Sequence, residues 1–203
     1  MTAKTRVAIL ISGRGSNLAA LIDAAKAADY PAQIALVFSN VEAAQGLEIA
    51  RAAAIATKVI SHKDFASREA FDAALDAALR TAKIDLICEA GFMRIHSDGF
   101  VRAWEGRILN IHPSLLPAFK GTKVHEQVLA AGVKISGCTV HFVVAELDSG
   151  PIIAQAAVPV LDGDTVETLA ARVLAEEHKL YPAALKLVAE GKVRLEDGRA
   201  VFA

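Results

Sequence analysis

The sequence predicts an α/β fold: a Rossmann-like, doubly wound and mostly parallel sheet with an antiparallel strand pair in its C-terminal part. Three observations carry this prediction. Short apolar runs alternate with stretches of helical spacing through about residue 112, the pattern of a parallel sheet with helices on both faces. Two longer strand-like runs then follow, joined by the turn-forming ELDSG at 146–150, as an antiparallel pair would be. The 203 residues, 54% hydrophobic and 22% charged, suit one domain over 1–203 with a substantial core.

Taken in order, residues 6–12 form a continuous apolar run of the kind buried on both faces of a parallel sheet, and they lead into Gly13-Arg14-Gly15-Ser16-Asn17. A helix is predicted over 18–28. The alternation continues with a strand at 34–39, a helix at 43–54, a strand at 58–60, a helix at 67–82 and a strand at 84–89. A short helix over 97–104 and a fifth strand over 108–111 complete a doubly wound first half, 1–112. In the second half, 113–203, a helix at 125–131 should end at Gly132, and the strand pair occupies 135–144 and 152–160. Residues 165–191 carry helical spacing at Val166, Leu169, Val173 and Leu174. Pro182 is expected to kink or divide that helix, because proline lacks the N–H and crowds the carbonyl four residues back. Asp197-Gly198 marks a small terminal hairpin.

Charge and cysteine content exclude several function classes. A net charge of -1 and a pI near 6.6 give no general attraction to nucleic acid or to an anionic membrane, so any anion must be bound locally. No stretch approaches the roughly 18 apolar residues of a membrane span, and the N-terminal VAILIS is too short for a signal-peptide core and runs into a glycine turn. Cys88 and Cys138 have neither CxxC spacing nor the density of a disulfide framework, which suits a reducing cytoplasm. His62, His96, His125 and His178 form no metal-spaced set, so no metal is expected. The pattern leaves a homodimer open.

Four stretches have residues that could carry chemistry. ILNIHPSLLPAFKG at 108–121 places Asn110 and His112 two apart on a strand, hence on one face, just before Pro113 and Pro117 fix the backbone. It reads either as a catalytic centre or as a buried strand capped by a proline turn. SGRGSNL sits between a strand and a helix, where free N–H groups and the helix dipole favour a phosphate, with Gly13 and Gly15 permitting close approach and Ser16 and Asn17 adding side-chain donors. It is not a Walker loop, Leu18 stands at the third glycine of GxGxxG, and Ser39-Asn40 lacks the acidic residue a dinucleotide ribose needs. That leaves a monophosphate site or a tight turn. Glu89-Ala90-Gly91-Phe92-Met93-Arg94 follows the fourth strand, which can neighbour the first at the switch point. It offers apolar walls and a cation to a flat heterocycle, or else local packing with a solvated arginine. Asp148 suits an Asx turn, but a carboxylate that reached His112 would favour the imidazolium and make it a proton donor. His141, on a strand, reads as a structural histidine.

Taken together, SGRGSN at 12–17, AGFMRI at 90–95, NIHPSLLP at 110–117, GCTVHFV at 137–143 and ELDSGPII at 146–153 resemble the glycinamide ribonucleotide formyltransferases, over residues 6 to about 182 and in the family's order. The Asn-x-His plus Leu-Asp-x-Gly combination marks the folate-dependent formyltransferases, and the phosphate loop narrows the match, since the methionyl-tRNA branch lacks it. The resemblance implies a formyltransferase fold and transfer of formyl from the co-substrate 10-formyltetrahydrofolate to the amine of glycinamide ribonucleotide. It implies catalytic roles for Asn110, His112 and Asp148, with the first two stabilising an oxyanion and Asp148 keeping His112 protonated. Gly15, Ser16 and Asn17 would hold the phosphate and Glu177, in EEHKLYP, the ribose. Arg68, Met93, Arg94, Ile95, His96 and Asn110, with Val144, Ala145, Glu146, Leu147 and Asp148, would hold the folate. Two of these depart from the family's pattern: His96 stands where an apolar residue is usual, and Ala145 where an acidic residue often precedes Glu-Leu-Asp. Arg14 would add a cation near the phosphate. Two alternatives accompany this reading. One is a formyltetrahydrofolate hydrolase of the same family, whose known members resemble this chain plus an N-terminal regulatory domain for which a strand beginning at Arg6 leaves no room. The other is a non-catalytic phosphometabolite-binding domain.

Overall fold

The structure, a computed structural model, describes residues 3–203. Its organisation follows from burial. β1 (Thr5–Ile11) is 0% exposed over residues 7–11, which requires strands on both edges and helices on both faces. β2 (Ala32–Ser39) and β4 (Leu86–Glu89) pair with it in parallel on either side, and β3 (Thr57–Val59) extends the β2 edge. β5 (Ile108–His112) lies parallel to β4, β6 (Ile135–Phe142) antiparallel to β5, and β7 (Ile152–Pro159) antiparallel to β6. The order is therefore β3-β2-β1-β4-β5-β6-β7. Winding reverses between β1 and β4, so the loops after these two strands flank one crevice at the carboxyl edge of the sheet.

The two-residue period of β1 divides the core. Val7, Ile9 and Ile11 pack with Leu18 and Leu21 of α1 (Ser16–Ala25) and Tyr181 and Leu185 of α6 (Val166–Ala189). Ala8 and Leu10 point the other way, toward Phe71 and Leu75 of α3 (Arg68–Thr81) and Phe100 of α4 (Asp98–Ala103), with Trp104 beyond it. α2 (Gly46–Ala52) and α5 (Val124–Ala131) complete the layers, and the C-cap of α5 is Gly132 in the left-handed region, as the sequence predicts. Ser67, Ser97 and Thr165 cap α3, α4 and α6 by accepting N–H bonds from Ala70, Phe100 and Thr168. The last two strands, β8 (Val193–Glu196) and β9 (Arg199–Phe202), form the expected hairpin, with φ of 48° at Asp197 and 71° at Gly198.

Pro182 does not divide its helix. α6 runs for 24 residues through it. Tyr181, Ala184 and Leu185 are fully buried around it and the Tyr30 hydroxyl donates to the Pro182 carbonyl at 2.7 Å, so packing outweighs the loss of one N–H. Among the described residues, no helix is long and apolar enough to cross a membrane.

Candidate active site

The rim of the crevice is tied together at Ser12. Its hydroxyl donates to Asn40 Oδ1 at 2.6 Å and accepts from the Met93 N–H at 2.8 Å, and its own N–H donates to the Gly91 carbonyl at 3.1 Å. The loops after β1, β2 and β4 are thus joined. Gly15 turns the chain into α1 at φ 78°, and a Cβ there would stand 2.6 Å from the Gly46 Cα, so only glycine lets the start of α2 approach. No side chain caps α1, which leaves the N–H groups of its first turn available to an anion. Asn17, expected from the sequence to donate to a phosphate, is held within the protein through one of its two amide protons. Its amide nitrogen donates to Glu177 Oε2 at 2.6 Å, while its Oδ1 is buried without a partner. The side chain therefore keeps a second amide proton and an acceptor oxygen beside the loop, and Ser16 adds a hydroxyl. The same bond brings Glu177 of α6 beside the glycine loop, and burial pushes its carboxyl above the usual range against the opposing pull of Asn17.

β5 carries Asn110 and His112 to the same edge. Asn110 lies directly opposite His141 in the antiparallel register, with Nδ2 3.3 Å from His141 Nε2. His141 Nδ1 is 2.9 Å from the Phe142 carbonyl, which can only accept, so Nδ1 carries the proton and Nε2 accepts from Asn110. Burial holds His141 below the ordinary histidine range, which keeps that tautomer neutral. His141 therefore fixes the Asn110 amide plane and leaves its second amide proton unclaimed.

His112 Nδ1 faces Asp148 Oδ2 at 3.5 Å, with both side chains 6% exposed. Its Nε2 donates to the Phe119 carbonyl at 2.8 Å. Asp148 is more than a turn residue: at φ 49° it also accepts the Gly121 N–H at 2.8 Å, joining the β6–β7 connection to the 113–123 loop.

Beside Asn110 opens a pocket with about 430 Å³ of empty space. Arg94, Ile95, His96, Asn110 and residues 144–148 line it, as the sequence-based set anticipates. Two of that set fall elsewhere. Met93 is 71% exposed ahead of the wall. Arg68, the first residue of α3, lines a separate groove between α3 and α4. His112, expected as a catalytic residue, turns to Asp148 and Phe119. The lining draws on both halves of the chain, 1–112 and 113–203. Arg94 Nε is a buried donor without a partner among the described residues.

His96 is a wall of a different kind from the one the sequence suggests. Its Nδ1 is 3.0 Å from Asp72 and its Nε2 2.7 Å from Glu89, and the rings of Phe92 and Phe100 stack on it at 5.5 and 4.4 Å. Burial pulls the imidazolium down, but the two carboxylates outweigh it and hold its pKa at about 9. Neither ring nitrogen is left for a ligand.

Sequence reasoning missed three neighbours: Glu89 in the pocket lining, His141 behind Asn110, and His125 of α5. His125 has a buried, unpartnered Nδ1 and is held low by burial and then by the charge of His112. The 89–94 stretch at the end of the fourth strand pointed to the first without giving it a role, and only the cross-strand register could have pointed to the second. Among the described residues, no group of three or more His, Cys, Asp or Glu is placed to hold a metal ion.

The formyl transferase family matches residues 5–185 of this chain. The chain is 58% identical over 197 residues to the trifunctional purine biosynthetic protein adenosine-3 of Bos taurus, a match covering 97% of the chain but 20% of that protein. It thus spans about a fifth of the length of its trifunctional relative. It is 45% identical over 194 residues to phosphoribosylglycinamide formyltransferase of Escherichia coli (strain K12), covering 96% of the chain and 92% of the relative. The crystal structure of glycinamide ribonucleotide transformylase 1 from Symbiobacterium toebii superposes with a TM-score of 0.96 at 48% identity, covering 100% of this chain and 95% of that one.

Proposed function

The chain belongs to the formyl transferase family, and from that premise we propose that it moves a formyl group from 10-formyltetrahydrofolate to the primary amine of glycinamide ribonucleotide, a step of purine synthesis. One observation carries the reading: a fixed amide, Asn110, lines a pocket, and a carboxylate-backed imidazole, His112, follows it on β5 at the sheet edge that also carries the glycine loop. The pocket suits a flat heterocycle, with Ile95, Val143 and Leu147 as apolar walls and the unpartnered Arg94 Nε as a donor. The first turn of α1 and Ser16 suit the phosphate. The paired acceptors Asn17 Oδ1 and Glu177 suit ribose hydroxyls.

When bound, the folate supplies the formyl carbon, whose bond to the folate nitrogen is exchanged for a bond to the substrate amine. The protein stabilises the charge that grows on the formyl oxygen. Asn110 offers its free amide proton, and His112, protonated toward Asp148 on one side and at Nε2 on the other, offers a second. For that, Nε2–H must leave the Phe119 carbonyl. The amine loses a proton and the folate nitrogen gains one, with Asp148 and His112 placed to carry it. No acyl-enzyme is needed, because the nucleophile belongs to the substrate. The buried free thiols Cys88 and Cys138 suit the cytoplasm, where we place the reaction.

Incubation with both substrates tests this. Formylated ribonucleotide is the expected product. Formate release without the amine would make the protein a hydrolase, and binding without turnover would make it a binding module.

A further inference from the structure

We infer that Glu89 is a specificity-determining residue of the pocket, its free carboxylate oxygen accepting an N–H bond from the exocyclic amine of an aminopyrimidine ring, the ring edge a folate presents. The inference rests on the formyl-donor reading above.

Glu89 is 7% exposed, at the end of β4 and in register with Asn110 on β5, so the two side chains stand next to each other at the pocket. Oε1 is bound to His96 Nε2 at 2.7 Å, whereas Oε2 has no hydrogen-bond partner among the described residues. That oxygen is open to the pocket that Glu89 lines, so a ligand donor seated there can reach it. The oxygen cannot turn away. His96 is clamped between Phe92 and Phe100, its far nitrogen is held by Asp72, and Asp72 is itself anchored by the Ser97 N–H at 2.5 Å. The other carboxylates of the pocket are engaged or outside. Asp148 Oδ2 serves His112 and Gly121, and the Glu146 side chain is 80% exposed beside Lys120. With one oxygen available, Glu89 makes one bond, which selects a ring bearing an amine over the same ring without it.

The test compares binding of two unreactive folate analogues that differ only at the ring position carrying the amine, one with the amine and one with a methyl group. The unaltered protein is expected to favour the amine by roughly tenfold or more, since a site built around a hydrogen bond rejects the ligand that leaves it unmade. In the double variant Glu89→Leu with His96→Leu, an apolar pair replaces the Glu89–His96 ion pair, and Asp72 keeps its bond from the Ser97 N–H. There the preference should fall to near unity while glycinamide ribonucleotide binds as before. Glu89→Gln gives a second readout should the double variant not fold, because a neutral oxygen accepts more weakly and the preference should drop several-fold. An undiminished preference in either folded variant overturns the role of Glu89. If the unaltered protein binds the ribonucleotide but neither analogue, the formyl-donor reading falls and takes this inference with it.

Discussion

Asn110 and His112 stand two residues apart on β5 but are held by different means, one by a neutral histidine and the other by a carboxylate. Each is expected to stabilise charge that appears only in the transition state. Asn110→Ala and His112→Ala should therefore lower kcat by roughly 10² or more with the fold retained. Steady-state kinetics beside a circular dichroism spectrum checks this, and near-normal turnover in either variant removes that residue from the chemistry. His96 makes its own prediction, about stability. Its pKa is raised from 6.5 to about 9, so the stabilisation it provides is complete below about pH 6.5 and is lost as pH rises through about 9. A shift of that size corresponds to something on the order of 3 kcal/mol. Urea denaturation of the protein and of the Glu89→Leu/His96→Leu variant should show the difference in stability moving against the unaltered protein across that window. A difference independent of pH would mean that His96 is not a buried cation.

Among the elements, the β1–α1 turn has the least freedom. Gly15 is in the left-handed region and nearly touches Gly46, so Gly15→Ala would both strain the backbone and push α2 away. The expected result is a loss of roughly 1–3 kcal/mol in stability and weaker ribonucleotide binding with folate binding spared; equal weakening of both ligands in titration would argue against a phosphate site there. This turn was legible in the sequence, since glycines between an apolar run and a helical one have a local physical meaning. So were the helix starts at Ser67, Ser97 and Thr165, which are N-caps. What stayed hidden depends on register and strand order, which no local pattern encodes. The pairing of Asn110 with His141 comes from antiparallel register, the Asp72–His96–Glu89 chain from the packing of α3 and the loop after β4, and the Asn17–Glu177 bond from a helix 160 residues away. Pro182 does not divide its helix for a related reason, because its local penalty is small beside the burial of its neighbours.

For the molecule as a whole, α6 is the element that makes separate halves into one site. It is the last long helix of the chain, yet Glu177 reaches the first loop, and four residues on, one turn along the same face, Tyr181 reaches the middle of the sheet. The Tyr181 hydroxyl, fully buried, is 3.0 Å from both the Glu89 and the Leu109 carbonyls, the backbone that immediately supports Glu89 on β4 and Asn110 on β5. Burial raises its pKa well above the usual tyrosine value, so it donates as a neutral phenol throughout the working range. Removing that hydroxyl leaves two buried carbonyls without this donor, at a cost of about 1–2 kcal/mol. Tyr181→Phe keeps the ring and its packing, so any effect reports the clamp alone. In a chain of 203 residues the melting temperature should fall by roughly 2–8 °C. Folate affinity should fall with it, because β4 and β5 set the separation of Glu89 and Asn110, while the phosphate turn is held also by Asn40, through Ser12, and by Gly46. A lowered melting point with both affinities intact would restrict Tyr181 to stability, and an unchanged melting point would show that α6 holds the sheet through its apolar face only.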